Sequence, residues 1–148
     1  MLRLALFEPE IPQNTGTLMR LGACLDIPID VIEPCGFIYD DKRLKRSGMD
    51  YRDIVNVTRH ADIHAFWTAT TTNRVILLDV KAELSFYDFA FEAGDIVMVG
   101  RESNGLPEAV FNQCYTALKI PMNPNCRSLN VAVAAAMVLT EAIRQVRR

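Results

Sequence analysis

Residues 95–108 read DIVMVGRESNGLPE. The four residues after Asp95 are apolar and mostly β-branched, a run too short for a helix and typical of a strand buried on both faces. Gly100 ends the run, Asn104-Gly105 turns the chain, and a helix follows over about 106–114. Residues 74–80, RVILLDV, repeat the pattern. Two such strands point to a parallel sheet covered by helices on both sides.

The flanking sequence extends this reading. Residues 2–7 are a short apolar run ended by Glu8-Pro9, again a buried strand with its exit turn. A helix is expected from about Thr15, with Asn14 or Thr15 as its cap and Leu18, Leu21 and Leu25 on one face. Residues 29–33 read as another strand, 62–69 as a helix, 117–120 as a last strand and 128–147 as a long final helix. Charges dominate 40–49, where Asp40 or Asp41 is suited to cap a short basic helix. Alternating strands and helices give an α/β fold, a mainly parallel sheet with helices on both faces. At 148 residues, half of them hydrophobic, the chain suits a single domain spanning 1–148.

No apolar run reaches the roughly 18 residues of a membrane span, and the start, MLRLALFEPE, lacks the pattern of a secretory leader. A cytoplasmic protein without a membrane partner is expected. Cys24, Cys35, Cys114 and Cys126 show no C-x-x-C spacing and read as reduced thiols, with Cys24 and Cys114 in the core. The net charge of −2 gives no overall attraction to nucleic acid, so any such contact needs a local patch. Lys42, Arg43, Lys45 and Arg46 form a basic cluster, either a solvated face or a phosphate-tracking patch. His60 and His64 stand four apart, but no third ligand or H-E-x-x-H pattern accompanies them. They read as surface histidines, and no metal is expected.

The final helix is small or apolar nearly all round through NVAVAAAMVLTEAI (130–143). Such a helix is either the centre of the core or part of a subunit interface, and the second reading predicts a homodimer.

Three loops fall where parallel sheets bind ligands, at the carboxyl ends of strands: EPEIPQNTGTLMR (8–20), GRESNGLPE (100–108) and IPMNPNCRSLN (120–130). The first lacks G-x-G-x-x-G, which argues against a dinucleotide site, and G-x-x-x-x-G-K-[ST] is absent, which excludes a P-loop hydrolase. In this order the three segments resemble the three motifs of the SPOUT class of RNA methyltransferases, in its ribose-modifying branch. The TrmL (YibK) family of tRNA wobble-nucleotide methyltransferases is the nearest pattern. The likeness runs through VIEPCGF (31–37), DDKRLKRSGMDY (40–51) and VTRHAD (57–62).

The resemblance implies a C-terminal trefoil knot, S-adenosylmethionine as methyl donor with S-adenosylhomocysteine as product, and tRNA as substrate. By the same resemblance Arg20, Glu102, Ser128, Asn130 and Asn14 belong to the catalytic site. Leu78, Gly100, Glu102, Gly105, Ile120, Met122, Ser128 and Leu129 surround the cofactor, and Arg20 joins the basic cluster against RNA. Taken singly, these residues have plainer roles: Arg20 a surface charge, Glu102 a partner of a helix dipole, Ser128 and Asn130 caps, and Leu78, Ile120 and Met122 core. A guanidinium stays protonated, so Arg20 suits anion binding rather than proton removal. Glu102 is expected first to scaffold its loop. Two departures fall on the final helix: Thr140, where many relatives carry an aromatic residue, and Ala132, where a polar one is frequent. Alternative functions are ribose methylation at another tRNA or rRNA position, and an inactive RNA-binding module of the same fold.

Overall fold

The computed structural model describes residues 1–40, 42, 44 and 54–147. Among these residues seven strands form one sheet: β1 (Arg3–Phe7), β2 (Ile29–Ile32), β3 (Val57–His60), β4 (Val75–Leu78), β5 (Leu84–Ser85), β6 (Ile96–Val99) and β7 (Thr116–Lys119), in the order β3-β2-β1-β6-β4-β7-β5. Every pairing is parallel. Among the described residues four α-helices with stated bounds accompany them: α1 (Pro12–Leu25), α2 (Ile63–Ala69), α3 (Glu108–Phe111) and α4 (Val131–Val146).

Side chains alternate across each strand, and this divides the core. Leu4 and Leu6 of β1, with Val97 and Val99 of β6, pack with Leu18 and Met19 of α1 and Val138 and Leu139 of α4. Ala5, Phe7, Leu77 and Met98 face the other way, onto Phe66 of α2 and Val110 at α3. Both layers are sealed, which is why the central strands read as unbroken apolar runs. Among the described residues no helix is long and apolar enough to cross a membrane.

Several sequence expectations need correction. Helix α1 starts at Pro12, not near Thr15, because the fixed backbone of proline suits a first helical position. Ile11 occupies the cap with no side-chain bond, and the Thr15 hydroxyl is buried without a partner among the described residues. Strands β3 and β5 were not expected. The first is an edge strand with Thr58 and Arg59 exposed, so it has no apolar signature, and the second spans two residues. Cys24 is exposed rather than core, whereas Cys114 packs partly buried beneath the sheet. Burial raises the thiols of Cys35 and Cys114 to about 11, which keeps both protonated and poor as nucleophiles.

The two histidines do not share a helix face. His60 ends β3 and is buried, with Nε2 2.7 Å from Asp30 Oδ1, while His64 is exposed on α2. Arg3 donates to the same Asp30 carboxylate from Nε at 2.9 Å and again from Nη2, so a fully buried aspartate is held by two basic side chains. Among the described residues no group of three His, Cys, Asp or Glu side chains converges to hold a metal.

Helix α4 resolves the question of its apolar surface. Ala132, Ala135, Val138, Leu139 and Ala142 are buried against the sheet and α1, while Val133 and Met137 point outward at 49% and 37% exposed. The helix is therefore not buried all round within one chain. Thr140 is also on its exposed side, its hydroxyl turned back to the Ala136 carbonyl at 2.6 Å. Of the basic cluster, Lys42 is exposed, with its amide on the Asp40 carboxylate at 2.8 Å, and Arg43, Lys45 and Arg46 lie outside the described residues.

Candidate active site

Parallel strands bring their carboxyl ends to one edge, and the register fixes what meets there. Val99 of β6 lies between Leu6 of β1 and Leu78 of β4, and Leu78 is level with Leu118 of β7. The chain leaving β1, β6 and β7 therefore emerges along one edge, β1 beside β6 and β7 one strand farther on, beyond β4. Residues 8–11, 100–105 and 120–130 become neighbours although they are far apart in sequence.

Glu102 lies at the junction of the first two loops. Its carboxylate accepts from the Glu10 amide at 2.9 Å, the Ile11 amide at 3.4 Å and Asn14 Nδ2 at 3.5 Å. The third loop is joined through Asn14, whose Oδ1 accepts from Asn130 Nδ2 at 3.0 Å. Asn130 in turn caps α4, taking the amides of Ala132 at 2.8 Å and Val133 at 3.3 Å. One polar chain thus runs Glu102, Asn14, Asn130 through all three segments.

Sequence reasoning missed the second set of contacts between the first two loops. Glu10 accepts from the Ser103 amide at 3.0 Å and the Ser103 hydroxyl at 2.7 Å, and these bonds, the amide first, hold its carboxyl below the ordinary value. Arg101 pairs with Glu8 at 2.8 Å and lies over the Phe7 ring. Glu8 has a left-handed backbone, φ 43°, unusual for a residue with a side chain. The only signal available in sequence was the density of carboxylates in FEPE next to a loop carrying Arg101 and Ser103.

Glycine is required at the second loop. A Cβ on Gly100 would sit 2.5 Å from Leu106 Cδ1 and 2.8 Å from the Gly105 carbonyl carbon, because the chain folds straight back on itself. Arg101 and Gly105 exchange backbone bonds at 3.1 and 3.0 Å, and Gly105 closes the turn at φ 62°. Half-buried Leu78 and Ile120 stand at the ends of the adjacent strands, with Met122 two residues farther on. The result is an apolar rim beside a partly exposed glycine turn, a combination suited to a flat, partly polar ligand such as an adenosine. Ser128 and Leu129 are exposed on the loop leading into α4.

Arg20 is not part of this polar chain. It is exposed on α1, six residues past Asn14, which at 3.6 residues per turn places it about 120° around the helix from Asn14. Asn14, Glu102 and Asn130 are brought together by direct bonds, whereas Arg20 serves another side of the same helix.

Residues 1–140 match the model of the SpoU rRNA Methylase family. The chain is 51% identical over 145 residues to a tRNA (cytidine(34)-2'-O)-methyltransferase of Beijerinckia indica, covering 97% of this chain and 91% of that one. It superposes with TM-score 0.92 and 42% identity on a structure described as giving structural insights into the 2-OH methylation of C/U34 on tRNA, over 98% and 95% of the two chains. The SpoU methyltransferase AviRb from Streptomyces viridochromogenes in complex with the cofactor AdoMet is similar at TM-score 0.84 and 25% identity, over 98% of this chain and 57% of that one.

Proposed function

The chain belongs to the SpoU rRNA methylase family, and from that premise we propose that it transfers a methyl group from S-adenosylmethionine to the ribose 2′-hydroxyl of nucleotide 34, the wobble position, in tRNA. The observation that carries this reading is the polar chain Glu102, Asn14, Asn130, which ties the three strand-end loops into one site. It occurs in a chain similar along nearly its whole length to cytidine(34) methyltransferases.

The residues at the second loop fit the cofactor. Gly100 lets the second loop fold back tightly on Leu106 and Gly105 takes the left-handed backbone that closes it, and Leu78, Ile120 and Met122 supply apolar contact for an adenine, with Ser128 and Leu129 at its edge. When bound, S-adenosylmethionine supplies a methyl group on a sulfonium whose positive charge is lost on transfer.

The protein's share of the work is then positional. Glu102 is occupied by two loop amides and Asn14, so it holds the first loop against the second rather than waiting as a base. Asn130 orients the third loop and the start of α4. Arg20, permanently charged, binds the substrate phosphate or the oxygen on which negative charge grows, and in-line alignment supplies several kcal/mol of the barrier reduction. In this reading the working unit is a homodimer in which Arg20, exposed on α1, faces the partner's site, and Val133 and Met137 lie at the contact. Lys42, Arg43, Lys45 and Arg46 track RNA phosphates. The protein acts as one domain with the C-terminal knot of its family, in the cytoplasm with its tRNA.

The test is nucleoside mass spectrometry of position 34 after incubating the purified protein with S-adenosylmethionine and tRNA lacking this methylation. The expected product is 2′-O-methylcytidine or 2′-O-methyluridine at that position. Methylation of a base, methylation at another position, or none, would overturn the reading.

A further inference from the structure

We propose that Glu10 and Ser103 are positioning residues for methyl transfer, forming with Glu102 a reciprocal latch that sets the first loop and helix α1 against the glycine turn of the second loop. The inference rests on the methyl-transfer reading for the identity of the cofactor. The latch itself stands on geometry.

The exchange is reciprocal. Glu102 of the second loop takes the backbone amides of Glu10 and Ile11, while Glu10 of the first loop takes the backbone amide and hydroxyl of Ser103. Each loop thus presents a carboxylate to the other loop's backbone, one residue apart on both sides. Hydrogen bonds to an ionised carboxylate are about twice as strong as neutral ones, and several in one place fix direction as well as distance. The Arg101 to Glu8 pair adds a third tie from the same two loops.

The latch has something to position. Helix α1 has no side-chain cap of its own, and the amide of its cap residue, Ile11, is held from outside by Glu102. The orientation of α1, and with it Asn14 and Arg20, is therefore referenced to the loop that carries Gly100 and Gly105. Glu102 alone would leave that loop free to pivot about one carboxylate. Glu10 on Ser103, with the Arg101–Glu8 pair behind it, supplies the further points that stop the pivot. Glu10 is half-buried and Ser103 exposed, both outside the two hydrophobic clusters, so the latch can be removed without opening the core.

Two measurements on the full-length protein test this. Calorimetry with S-adenosylhomocysteine on Glu10→Ala, Ser103→Ala and the double variant should give a loss of affinity of about 10-fold for each single change, the size of one charge-assisted bond. The double variant should be no weaker than Glu10→Ala alone, which already removes both the amide and the hydroxyl bond, and Ser103→Thr, which keeps amide and hydroxyl, should bind like wild type. Amide hydrogen exchange without any ligand should show Glu10→Ala speeding exchange at Glu10 and Ile11, whose bonds to Glu102 the substitution does not touch. Thermal midpoints should stay close to wild type. Wild-type affinity in both single variants, additive losses in the double, or unchanged exchange at Glu10 and Ile11 would each overturn the latch. If wild type itself failed to bind S-adenosylhomocysteine, the functional reading would fail, while the exchange result would still decide whether the two loops are coupled.

Discussion

Asn14 Oδ1 and Asn130 Nδ2 meet at 3.0 Å across 116 residues of sequence, and the same Asn14 amide donates its other end to Glu102. The orientation of that one amide is fixed from both sides. It accepts toward α4 and donates toward the second loop.

Asn130→Asp separates the two tasks of this residue. An aspartate oxygen still caps α4 by taking the amides of Ala132 and Val133, so the thermal midpoint should barely move. The donor to Asn14 is lost, and two oxygens then face each other. We expect turnover to fall about 10-fold, the worth of one hydrogen bond left unmade. Asn130→Ala should lose the cap as well and about 1 kcal/mol of stability. Melting curves beside single-turnover rates distinguish the two.

Arg20→Ala should leave folding and S-adenosylhomocysteine affinity close to wild type, because Arg20 is exposed on α1 and outside both hydrophobic clusters. Turnover should drop by about 100-fold or more, as when a placed electrostatic group is removed. Loss of cofactor affinity in parallel with rate would instead make it a binding residue for the cofactor.

Asp30 is a matter of stability rather than chemistry. Its fully buried carboxylate is shared by Arg3 and His60, and Asp30→Ala strands both basic groups at the sheet. Removing one partner from a buried charge cluster costs about 3 kcal/mol, somewhat less where Arg3 can reach solvent. Urea unfolding should show the loss, with the rate per folded molecule unchanged.

The proposed dimer is best probed from the outward side of α4. Ala135 is fully buried within the chain, so Ala135→Glu should prevent folding and would say little about assembly. Val133→Glu places the charge on the exposed side, where the monomer tolerates it and an apolar subunit contact does not. Sedimentation at micromolar concentration should give a wild-type dimer and a folded Val133→Glu monomer. A wild-type monomer would refute the shared site.

The central fold was legible because its strands are sealed on both faces: residues 75–78 and 96–99 carry the apolar signal that parallel pairing demands. Edge strand β3 was not, since Thr58 and Arg59 face solvent, and neither was the burial of His60, which depends on an aspartate 30 residues away. Of the site, the segments were visible as motifs and the contacts were not. Glu102 could be picked out as the carboxylate of its motif, but which amides it takes is decided by strand order. Glu10 and Ser103 carry no pattern beyond the carboxylates of FEPE, because their relationship exists only once β1 and β6 lie side by side.

That adjacency also has a kinetic consequence. The bonds that assemble the site join residues about 90 to 116 positions apart, and loops of that length close slowly compared with a local turn or helix. Helix α1 and strands β1 and β2 can form early from near neighbours, yet no part of the loop junction can exist before β6 has docked, and the Asn14 bond waits for α4. Competence to bind is therefore the last property the chain acquires on folding. In a refolding experiment, recovery of cofactor binding should lag behind recovery of helical signal.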